Sequence, residues 1–457
     1  MSTFHLINFG CRASQADGGA IKKQLILGGF KETSPEGSKV AVLNTCTVTA
    51  AADAEARQVI RRLHRRNPHC RILVTGCYAQ RASEEIAKLP GVAWVVGNSH
   101  KHTVAEILLR EFKPSGIANP LPAQAGPQTS HQAVLPILPP PEPQAEVLVG
   151  EIGDAFHFAP VFADDRTRPT LKIQDGCNAR CSFCVIPHVR GESRSMAPPK
   201  VIEQIRQLEE EGYQEIVLSG INLGSYGRDF SPRLNFLGLV ERILAETNIP
   251  RVRISSIEPM DVSPEFIRMV AGEPRLAKHF HVPLQSGSNR ILRLMNRRYW
   301  TTQYAERMLA IQERIPNCGL GADVMVGFPG ETEADHAESL RFIESLPYSY
   351  LHIFPYSARP GTPAASQTDP VDGRRIRLRS REMQSLIAAK RQKFLQAQVG
   401  ETLSVLALHE IQEEMRSALS SNYLKVFLPG AEAPPNTLLN ARVGRVFGDQ
   451  VFGYQVS

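Results

Sequence analysis

Three cysteines in the segment "DGCNARCSFCVIPHVRG" are the residues of this 457-residue chain that most directly indicate a chemical function. Cys177, Cys181 and Cys184 are separated by three and by two residues, and no fourth cysteine follows nearby. Thiolates ligate zinc and the irons of iron–sulfur clusters, and a set of three leaves one metal position free for another ligand. The spacing therefore predicts a metal centre with an open coordination position.

Zinc is one alternative for this segment, and His188 is then the candidate for the fourth ligand. Zinc knuckles use paired C-x-x-C units, however, and the segment contains a single one. A cluster of soft irons held by three thiolates fits these residues better than zinc does. A group of buried thiols without any metal is the remaining alternative.

Three further cysteines each follow a predicted buried strand in the first part of the chain. The strands are "FHLINFG", "KVAVLNTC" and "RILVTGC", and the cysteines are Cys11, Cys46 and Cys77. Helical patterns alternate with these strands, which indicates a doubly wound parallel sheet. Because ligands gather at the carboxyl ends of the strands in such sheets, we expect the three thiols to form a second three-thiolate site.

The predicted elements change character along the chain and indicate an α/β protein of several domains. Residues 114–143 contain nine prolines, which favours a linker without regular structure. Six predicted strands then alternate with helices, as in a partial (β/α) barrel, and short Gly-punctuated strands predict a small antiparallel β-barrel at the end. The expected divisions are an N-terminal domain at 1–112, a linker at 113–165, a core domain at 166–396 and a C-terminal domain at 397–457.

The composition favours a protein that works in water. Apolar residues make up 42% of the chain, charged residues make up 21%, and the net charge is +6. No apolar run approaches the roughly 18–20 residues of a membrane-spanning helix. The first residues lack the features of a secretory signal, so the eight cysteines favour reduced thiols that are available to metals. We therefore expect a cytoplasmic protein without a membrane partner.

The C-x3-C-x2-C spacing, followed by the partial-barrel pattern, resembles the signature of the radical S-adenosylmethionine (SAM) superfamily. The resemblance implies that Cys177, Cys181 and Cys184 hold a [4Fe–4S] cluster whose open iron binds SAM. In that superfamily an electron from the cluster cleaves a carbon–sulfur bond of SAM and yields a 5′-deoxyadenosyl radical. The candidates for SAM binding lie at or after the ends of later predicted strands and are Gly220, Ser256, Glu258, Gln285 and Arg297.

Ordered motifs along nearly the whole chain resemble the methylthiotransferase family. They are "FGC", "LNTCTVT", "VTGCYAQ", "DGCNARCSFCVIPHVRG", "SSIEP", "PLQSGSNRILRLMNRRY", "DVMVGFPGET" and "FPYSARPGTPA". The resemblance implies an auxiliary [4Fe–4S] cluster on Cys11, Cys46 and Cys77, a radical SAM partial barrel and a C-terminal TRAM domain that binds RNA. The family inserts sulfur and a methyl group at an unactivated carbon, using two [4Fe–4S] clusters and SAM. One SAM methylates a sulfur on the auxiliary cluster, and another yields the radical.

The residues after Cys46 bear on the substrate, because they are Thr47, Val48 and Thr49. They resemble the branch of the family that adds a methylthio group to carbon 2 of N6-threonylcarbamoyladenosine beside the tRNA anticodon. The branch that acts on isopentenyladenosine usually has Ser-Ile-Arg there, and a third branch modifies a side chain of a ribosomal protein. Both remain alternatives. The chain departs from the family pattern at Ser14, where asparagine is common.

An arginine-rich segment, "RRIRLRSR", indicates a nucleic-acid partner. Contact with RNA phosphates is favoured beside an RNA-binding barrel, and a solvated helix face is the alternative. The arginines are Arg374, Arg375, Arg377, Arg379 and Arg381. The expected partners are tRNA, an electron donor such as flavodoxin or ferredoxin, and a sulfur source. A non-catalytic RNA-binding protein is a rival class, against which the two intact cysteine sets argue.

Overall fold

The computed structural model describes residues 2–112, 144–153, 167–430 and 433–456 of the chain. Its N-terminal helices and strands are, in chain order, β1 (Thr3–Asn8), α1 (Arg12–Leu27), β2 (Lys31–Glu32), β3 (Val40–Thr45), α2 (Ala50–Arg66), β4 (Arg71–Gly76), α3 (Cys77–Arg81), α4 (Ser83–Ala87), β5 (Val92–Val96), α5 (Val104–Phe112) and β6 (Glu146–Leu148).

These six strands form one parallel sheet in the order β2-β1-β3-β4-β5-β6. The central strand β3, "VAVLNT", is buried along its whole length, as expected for a strand covered on both faces. One apolar core joins the sheet to α1 and α5, and a second joins it to α2, α3 and α4. The doubly wound parallel domain predicted from the sequence is confirmed.

One strand lies where the sequence analysis expected linker. Glu146–Leu148 form β6, which pairs in parallel with β5 at the edge of the sheet. The expectation of a linker over residues 113–165 is therefore corrected at this point. The reason is local: "AEVLVG" contains no proline, so it supplies the backbone N–H groups that an open sheet edge can pair with. The rest of that expectation, at 113–143 and 154–165, lies outside the described residues.

A second set of elements follows Thr167. These are β7 (Thr170–Lys172), β8 (Gln174–Asp175), α6 (Ile186–Arg190), β9 (Arg194–Ser195), α7 (Pro198–Glu210), β10 (Glu215–Ser219), α8 (Phe236–Glu246), β11 (Arg251–Ile254), α9 (Pro264–Gly272), β12 (His279–His281), α10 (Asn289–Leu294), α11 (Thr301–Arg314), β13 (Gly319–Val326), α12 (Glu333–Ser345), β14 (Tyr350–Pro355) and α13 (Gly373–Gln396).

Six of these strands form the predicted partial barrel. They are arranged as two parallel three-stranded sheets, β7-β10-β11 and β12-β13-β14. Backbone hydrogen bonds of 3.0 Å from Ala277 to Val252 and from Ile257 to His281 join the two sheets between β11 and β12. The six strands thus follow one another in chain order around a curved sheet that is open between β7 and β14.

The two faces of this curved sheet have different chemistry. Apolar side chains such as Leu218, Val252 and Val324 pack into the core formed with the surrounding helices. Because side chains alternate along a strand, their neighbours point to the inner face of the partial barrel. The polar and charged side chains at these inward positions are Lys172, Glu215, Arg251, Arg253, His279, His281, Asp323, Tyr350 and His352.

The C-terminal strands are β15 (Thr402–Gln412), β16 (Met415–Ser420), β17 (Lys425–Pro429), β18 (Leu438–Phe447) and β19 (Gln450–Val456). They close into a small barrel in the order β15-β16-β17-β19-β18. Four of the pairs are antiparallel, as predicted, whereas β17 and β19 run parallel. In a closed ring with an odd number of strands, the strand direction cannot alternate at every step, so at least one neighbouring pair must be parallel.

The C-terminal barrel is docked on the partial barrel through the turn that joins β16 to β17. Arg253 donates to the backbone oxygens of Ser420 and Ser421 at 2.9 and 3.1 Å. Tyr423, in the same turn, stacks on the His279 ring with centroids 4.4 Å apart. These contacts close one end of the inner face. No helix in the described part of the chain combines the length and hydrophobicity that crossing a bilayer requires.

Candidate active site

The first three-cysteine set lies in the loop between β8 and α6. Backbone hydrogen bonds from Cys177 to Gly191 (3.0 Å) and from Cys184 to Cys181 (3.1 Å) hold this loop in a compact turn. All three thiols are partly exposed. The loop follows the first strand of the partial barrel, β7, and Asn222, which follows β10, contacts it. We call Cys177, Cys181 and Cys184 the central triad.

Nitrogen donors point at the sulfurs of the central triad. The backbone N–H of Ala179 and the amide of Asn222 donate to Cys177 Sγ at 3.4 and 3.8 Å. Arg297 donates to Cys181 Sγ at 3.3 Å. Burial, together with the neighbouring Cys181 and Cys177 sulfurs, raises the pKa of the Cys184 thiol to about 12. A thiol with a raised pKa becomes a thiolate more readily when a bound cation compensates its charge, as a metal does.

Two of the predicted SAM-binding residues lie together beside the central triad. Arg297, which contacts Cys181, is also hydrogen-bonded to the Glu258 carboxylate. Gln285 has a left-handed backbone with φ of 67° and bonds to Asp323 and Met325 through its main chain.

The other two candidates, Gly220 and Ser256, follow β10 and β11. Four of the five candidates thus follow strands closely, and Arg297 reaches the same region through its bond to Glu258. Contact of all five candidates with SAM stays a prediction.

The second set, Cys11, Cys46 and Cys77, gathers at the carboxyl ends of β1, β3 and β4, which are neighbours in the sheet. The chain before Cys11 approaches Cys46 very closely. A Cβ atom on Gly10, whose φ is 89°, would lie 2.6 Å from Cys46 Cβ, so only glycine fits there. Burial and the neighbouring Cys77 and Cys11 sulfurs raise the pKa of Cys46 to about 12. We call this set the N-terminal triad.

Arg190, which the sequence analysis did not single out, joins the two triads. This arginine on α6 is almost completely buried and donates its Nε–H to Cys77 Sγ at 3.2 Å. It also donates to both oxygens of Asp175 at 2.9 Å and to Ser14 Oγ at 3.2 Å. Asp175 lies two residues before Cys177. One guanidinium therefore spans from a thiol of the N-terminal triad to the strand that leads into the central triad.

Further buried ion pairs surround Arg190 at this junction. Asp17 on α1 accepts hydrogen bonds from Lys101 at 2.8 Å and from Arg190 at 3.2 Å, and it also pairs with Lys172 on β7. Positive charges from Arg190 and Lys172 outweigh burial and lower the pKa of Asp175 to about 2. Because these ions are buried, each depends on its partners. The network fixes the N-terminal sheet against the partial barrel.

The spacing of the sulfurs bears on which metal the triads fit. Among the described residues, one group of His, Cys, Asp and Glu side chains brings three ligand atoms within 4.8 Å of one another, and no cysteine belongs to it. Tetrahedral zinc with Zn–S bonds of about 2.3 Å would place sulfurs about 3.8 Å apart. His188, the alternative zinc ligand, is exposed and lies outside that group. The wider spacing fits a multi-iron cluster.

The side chains of the Thr47–Val48–Thr49 segment have different environments. Thr47 is buried and donates to Asp53 at 2.7 Å, and it accepts from Arg81 and Arg359 at 2.8 and 2.9 Å. Thr49 caps α2 through a bond from the Ala52 N–H. Val48 is exposed. Two of the three side chains therefore support the structure, and the third faces outward beside Cys46.

The arginines of "RRIRLRSR" do not share one environment, and the prediction that Arg379 contacts RNA is wrong. Its side chain is 1% exposed and donates at 2.7 Å to Glu331 and to Glu333. Arg379 faces the partial barrel because of its position on α13. The other four arginines are exposed on the first turns of the same helix: Arg374, Arg375, Arg377 and Arg381.

Comparison with family models and solved structures agrees with this architecture. Residues 171–343 match the model of the radical SAM superfamily, and residues 3–97 match the model described as uncharacterized protein family UPF0004. A solved structure of the radical SAM methyltransferase TsrM from Kitasatospora setae superposes with a TM-score of 0.52 at 14% identity, covering 80% of this chain and 75% of that one. At that identity the likeness shows the fold alone.

Curated relatives cover nearly the whole chain. Two are named threonylcarbamoyladenosine tRNA methylthiotransferase MtaB: one from Aquifex aeolicus, 36% identical over 91% of this chain and 94% of the relative, and one from Bacillus subtilis, 36% identical over 94% and 91%. A tRNA-2-methylthio-N(6)-dimethylallyladenosine synthase from Desulforamulus reducens is 32% identical over 97% and 93%. The chain thus belongs to the radical SAM tRNA methylthiotransferase family and is a sulfur-transferring enzyme that uses a [4Fe–4S] cluster and SAM.

Proposed function

We propose that this enzyme adds a methylthio group to carbon 2 of N6-threonylcarbamoyladenosine, on the 3′ side of the tRNA anticodon. The observation that carries the proposal is the pair of three-cysteine sites joined by the buried Arg190. One site suffices for cleaving SAM, whereas adding sulfur calls for a second place that holds sulfur. The relatives at 36% identity support threonylcarbamoyladenosine as the substrate.

The two triads have different tasks in this proposal. The central triad holds the cluster that, with SAM bound, supplies the electron for reductive cleavage of SAM. Arg297 positions Glu258 beside Cys181, where both side chains can orient the cofactor. The N-terminal triad holds a second [4Fe–4S] cluster, and Arg190 supplies positive charge to its Cys77 sulfur. A low-potential electron donor, such as flavodoxin or ferredoxin, and a sulfur source complete the system.

The side chains on the inner face of the partial barrel support the proposal that the substrate is anionic. Polar side chains such as His281 and His352 lie on it, and the positive charge of Arg297 lies beside Cys181 of the central triad. The threonylcarbamoyl group carries a carboxylate, whereas an isopentenyl group is apolar. Donors that bind the carboxylate would be left unpaired against the apolar group, so discrimination between the two is expected to be large.

Dimethylallyladenosine in tRNA is the second candidate substrate, because the relative from Desulforamulus reducens carries that name. Nucleosides of tRNA from cells with and without this gene distinguish the candidates by mass spectrometry. The proposal predicts that the methylthio derivative of threonylcarbamoyladenosine disappears with the gene and returns on complementation. Loss of the dimethylallyl derivative instead assigns the second candidate. Unchanged tRNA in cells that lack the gene favours a protein side chain as the substrate.

Replacing Arg190 with methionine is expected to lower the reduction potential of the cluster on the N-terminal triad and to destabilise the chain. The change removes a positive charge and a hydrogen bond from Cys77, both of which favour the more negative, reduced cluster. It also leaves Asp175 and Asp17 without a cation that they share, which costs about 3–5 kcal/mol for a broken buried pair.

Redox titration monitored by electron paramagnetic resonance measures the potential, and thermal unfolding measures the stability. Arg190→Lys is the matched control, because it keeps the charge without the planar guanidinium. Its potential is expected to lie between those of the other two proteins. Equal potentials for all three would contradict a role of Arg190 at the cluster.

Exchanging the four exposed arginines of α13 for glutamine is expected to weaken tRNA binding and to flatten its salt dependence. Binding to each phosphate releases counterions, so the slope of log K against log salt falls by about 0.7–0.9 for each phosphate that the variant no longer neutralises. The variant combines Arg374→Gln, Arg375→Gln, Arg377→Gln and Arg381→Gln. Arg379 is left unchanged because its charge is needed inside the fold.

A matched control removes the same number of exposed arginines from α2, through Arg61→Gln, Arg62→Gln, Arg65→Gln and Arg66→Gln. Filter binding across a series of salt concentrations gives the slope for each protein. The α13 variant is expected to lose more of the slope than the α2 variant. A slope equal to that of the unmodified chain would show that the α13 arginines form a solvated helix face.

A further inference from the structure

Three ligand side chains converge on the inner face of the partial barrel, away from both cysteine triads. His281 lies on β12, Asp323 on β13 and His352 on β14, which are adjacent parallel strands. Asp323 and His352 are direct partners in the strand register. One nitrogen of each histidine and one carboxylate oxygen lie within 4.8 Å of one another. We call these residues the inner-face triad.

The distances in the inner-face triad suit a small divalent cation. His281 Nε2 lies 3.0 Å from Asp323 Oδ1, and His352 Nδ1 lies 3.2 Å from the same oxygen. Bonds of about 2.0–2.2 Å from a tetrahedral zinc ion would place such ligand atoms about 3.3 Å apart. His352 is exposed and can adjust its position, so the cation needs only small movements. Two imidazoles and one carboxylate are also ligands that zinc prefers.

A hydrogen-bond network orients His281 toward the other two residues. Its second ring nitrogen, Nδ1, lies 3.0 Å from Tyr350 Oη, and the same hydroxyl lies 2.8 Å from His279 Nε2. The Tyr350 ring fits here because residue 321 is glycine, where a Cβ atom would lie 2.0 Å from the ring. Metal-binding histidines characteristically have such a partner on the nitrogen that does not face the metal.

We propose that His281, Asp323 and His352 form a binding site for a divalent cation of the zinc type, separate from the iron–sulfur sites. Three protein ligands leave the fourth tetrahedral position open, as in catalytic zinc sites. That position faces the inner surface of the partial barrel, where an oxygen atom of a bound substrate can coordinate. The site holds its cation whichever nucleoside the enzyme modifies, so it stands independently of the proposed substrate.

The test uses the full chain, reconstituted with iron and sulfide under anaerobic conditions. Each protein is given one equivalent of Zn²⁺ and dialysed, and its zinc and iron are measured in the same sample. The variants are Asp323→Asn, which removes the charged ligand at constant size, and His352→Gln, at an exposed side chain. His69→Gln, an exposed histidine outside the inner-face triad, is the matched control.

Unmodified chain and the His69 variant are expected to retain one zinc ion per chain, whereas both triad variants lose it and keep their iron. Zinc X-ray absorption is expected to show nitrogen and oxygen ligands at about 2.0–2.2 Å and no sulfur at about 2.3 Å. The proposal is overturned if the unmodified chain retains no zinc, if both triad variants retain it, or if its ligands include sulfur.

Discussion

Alanine at Cys177, Cys181 and Cys184 together is expected to abolish reductive cleavage of SAM and to halve the iron content of the reconstituted chain. The two triads are proposed to hold about eight irons, four in each [4Fe–4S] cluster. Without the central triad, the cluster that binds SAM and delivers the electron to it is lost, whereas the cluster on the N-terminal triad remains. Iron analysis and quantification of 5′-deoxyadenosine after addition of dithionite measure the two effects.

The matched control for this triple variant is alanine at Cys70 and Cys318, which are buried cysteines outside both triads. It is expected to keep its iron and its SAM cleavage. Unchanged cleavage in the triple variant would show that the central triad does not hold the radical-generating cluster. Zinc in place of iron in the unmodified protein would contradict the assignment as well.

Single alanine substitutions in the N-terminal triad are expected to separate two activities. Cys11→Ala, Cys46→Ala and Cys77→Ala should each spare SAM cleavage, because the central triad and its donors remain in place. Each should stop methylthiolation, since the proposed second cluster loses a ligand. Chromatography with mass spectrometry measures 5′-deoxyadenosine and the modified nucleoside in the same reaction.

The expected ratio of the two products makes this test selective. All three variants should still cleave SAM to 5′-deoxyadenosine, but none should form the methylthio nucleoside. Methylthio product from all three variants at the rate of the unmodified enzyme would rule out a second cluster on the N-terminal triad. Loss of SAM cleavage in Cys77→Ala alone would instead show that the Arg190 bridge controls the central triad.

The gathering of Cys11, Cys46 and Cys77 could be predicted from the sequence for a physical reason. Each follows a buried strand, and parallel topology brings the ends of neighbouring strands to one edge of the sheet. The central triad could be predicted from the spacing of its cysteines alone, because all three lie within a single short loop. Periodicity and local spacing therefore suffice where the chain itself places residues together.

Arg190 could not be assigned in the same way. Its contact with Cys77 joins residues 113 positions apart and depends on how the N-terminal sheet docks on the partial barrel. The prediction that Arg379 contacts RNA was wrong for a related reason. Only the packing of α13 reveals that one arginine in the series is buried. The signal for Arg190 was its position in "VIPHVRG", close to the central triad, but that position alone does not identify its partners.

The inner-face triad could not be predicted from the sequence either, because it depends on the register of the strands. Alternation predicts that His281 and His352 share a face with Asp323 only once the register of three separate strands is known. Each residue alone is an ordinary polar position in a strand. The structure supplies the register and brings the three ligand atoms together.

Docking of the C-terminal barrel affects how its role in RNA binding can be tested. Removing it would leave Arg251 and Arg253 without the acceptors that Leu419, Ser420 and Ser421 provide. Truncation would also break the stacking of Tyr423 on His279, so a loss of tRNA binding by the truncated chain would not separate RNA contact from damage to the fold. Substitutions on the exposed surface of α13 avoid this difficulty.

Reaction of the purified, reconstituted enzyme with two tRNAs tests the central claim most directly. One tRNA carries threonylcarbamoyladenosine beside the anticodon and the other carries the isopentenyl derivative, and SAM carries a deuterated methyl group. We predict a deuterated methylthio group on the threonylcarbamoyl nucleoside, formed together with 5′-deoxyadenosine, and little or none on the isopentenyl nucleoside. Label on the isopentenyl nucleoside alone, or on neither nucleoside while 5′-deoxyadenosine forms, would contradict the proposed function.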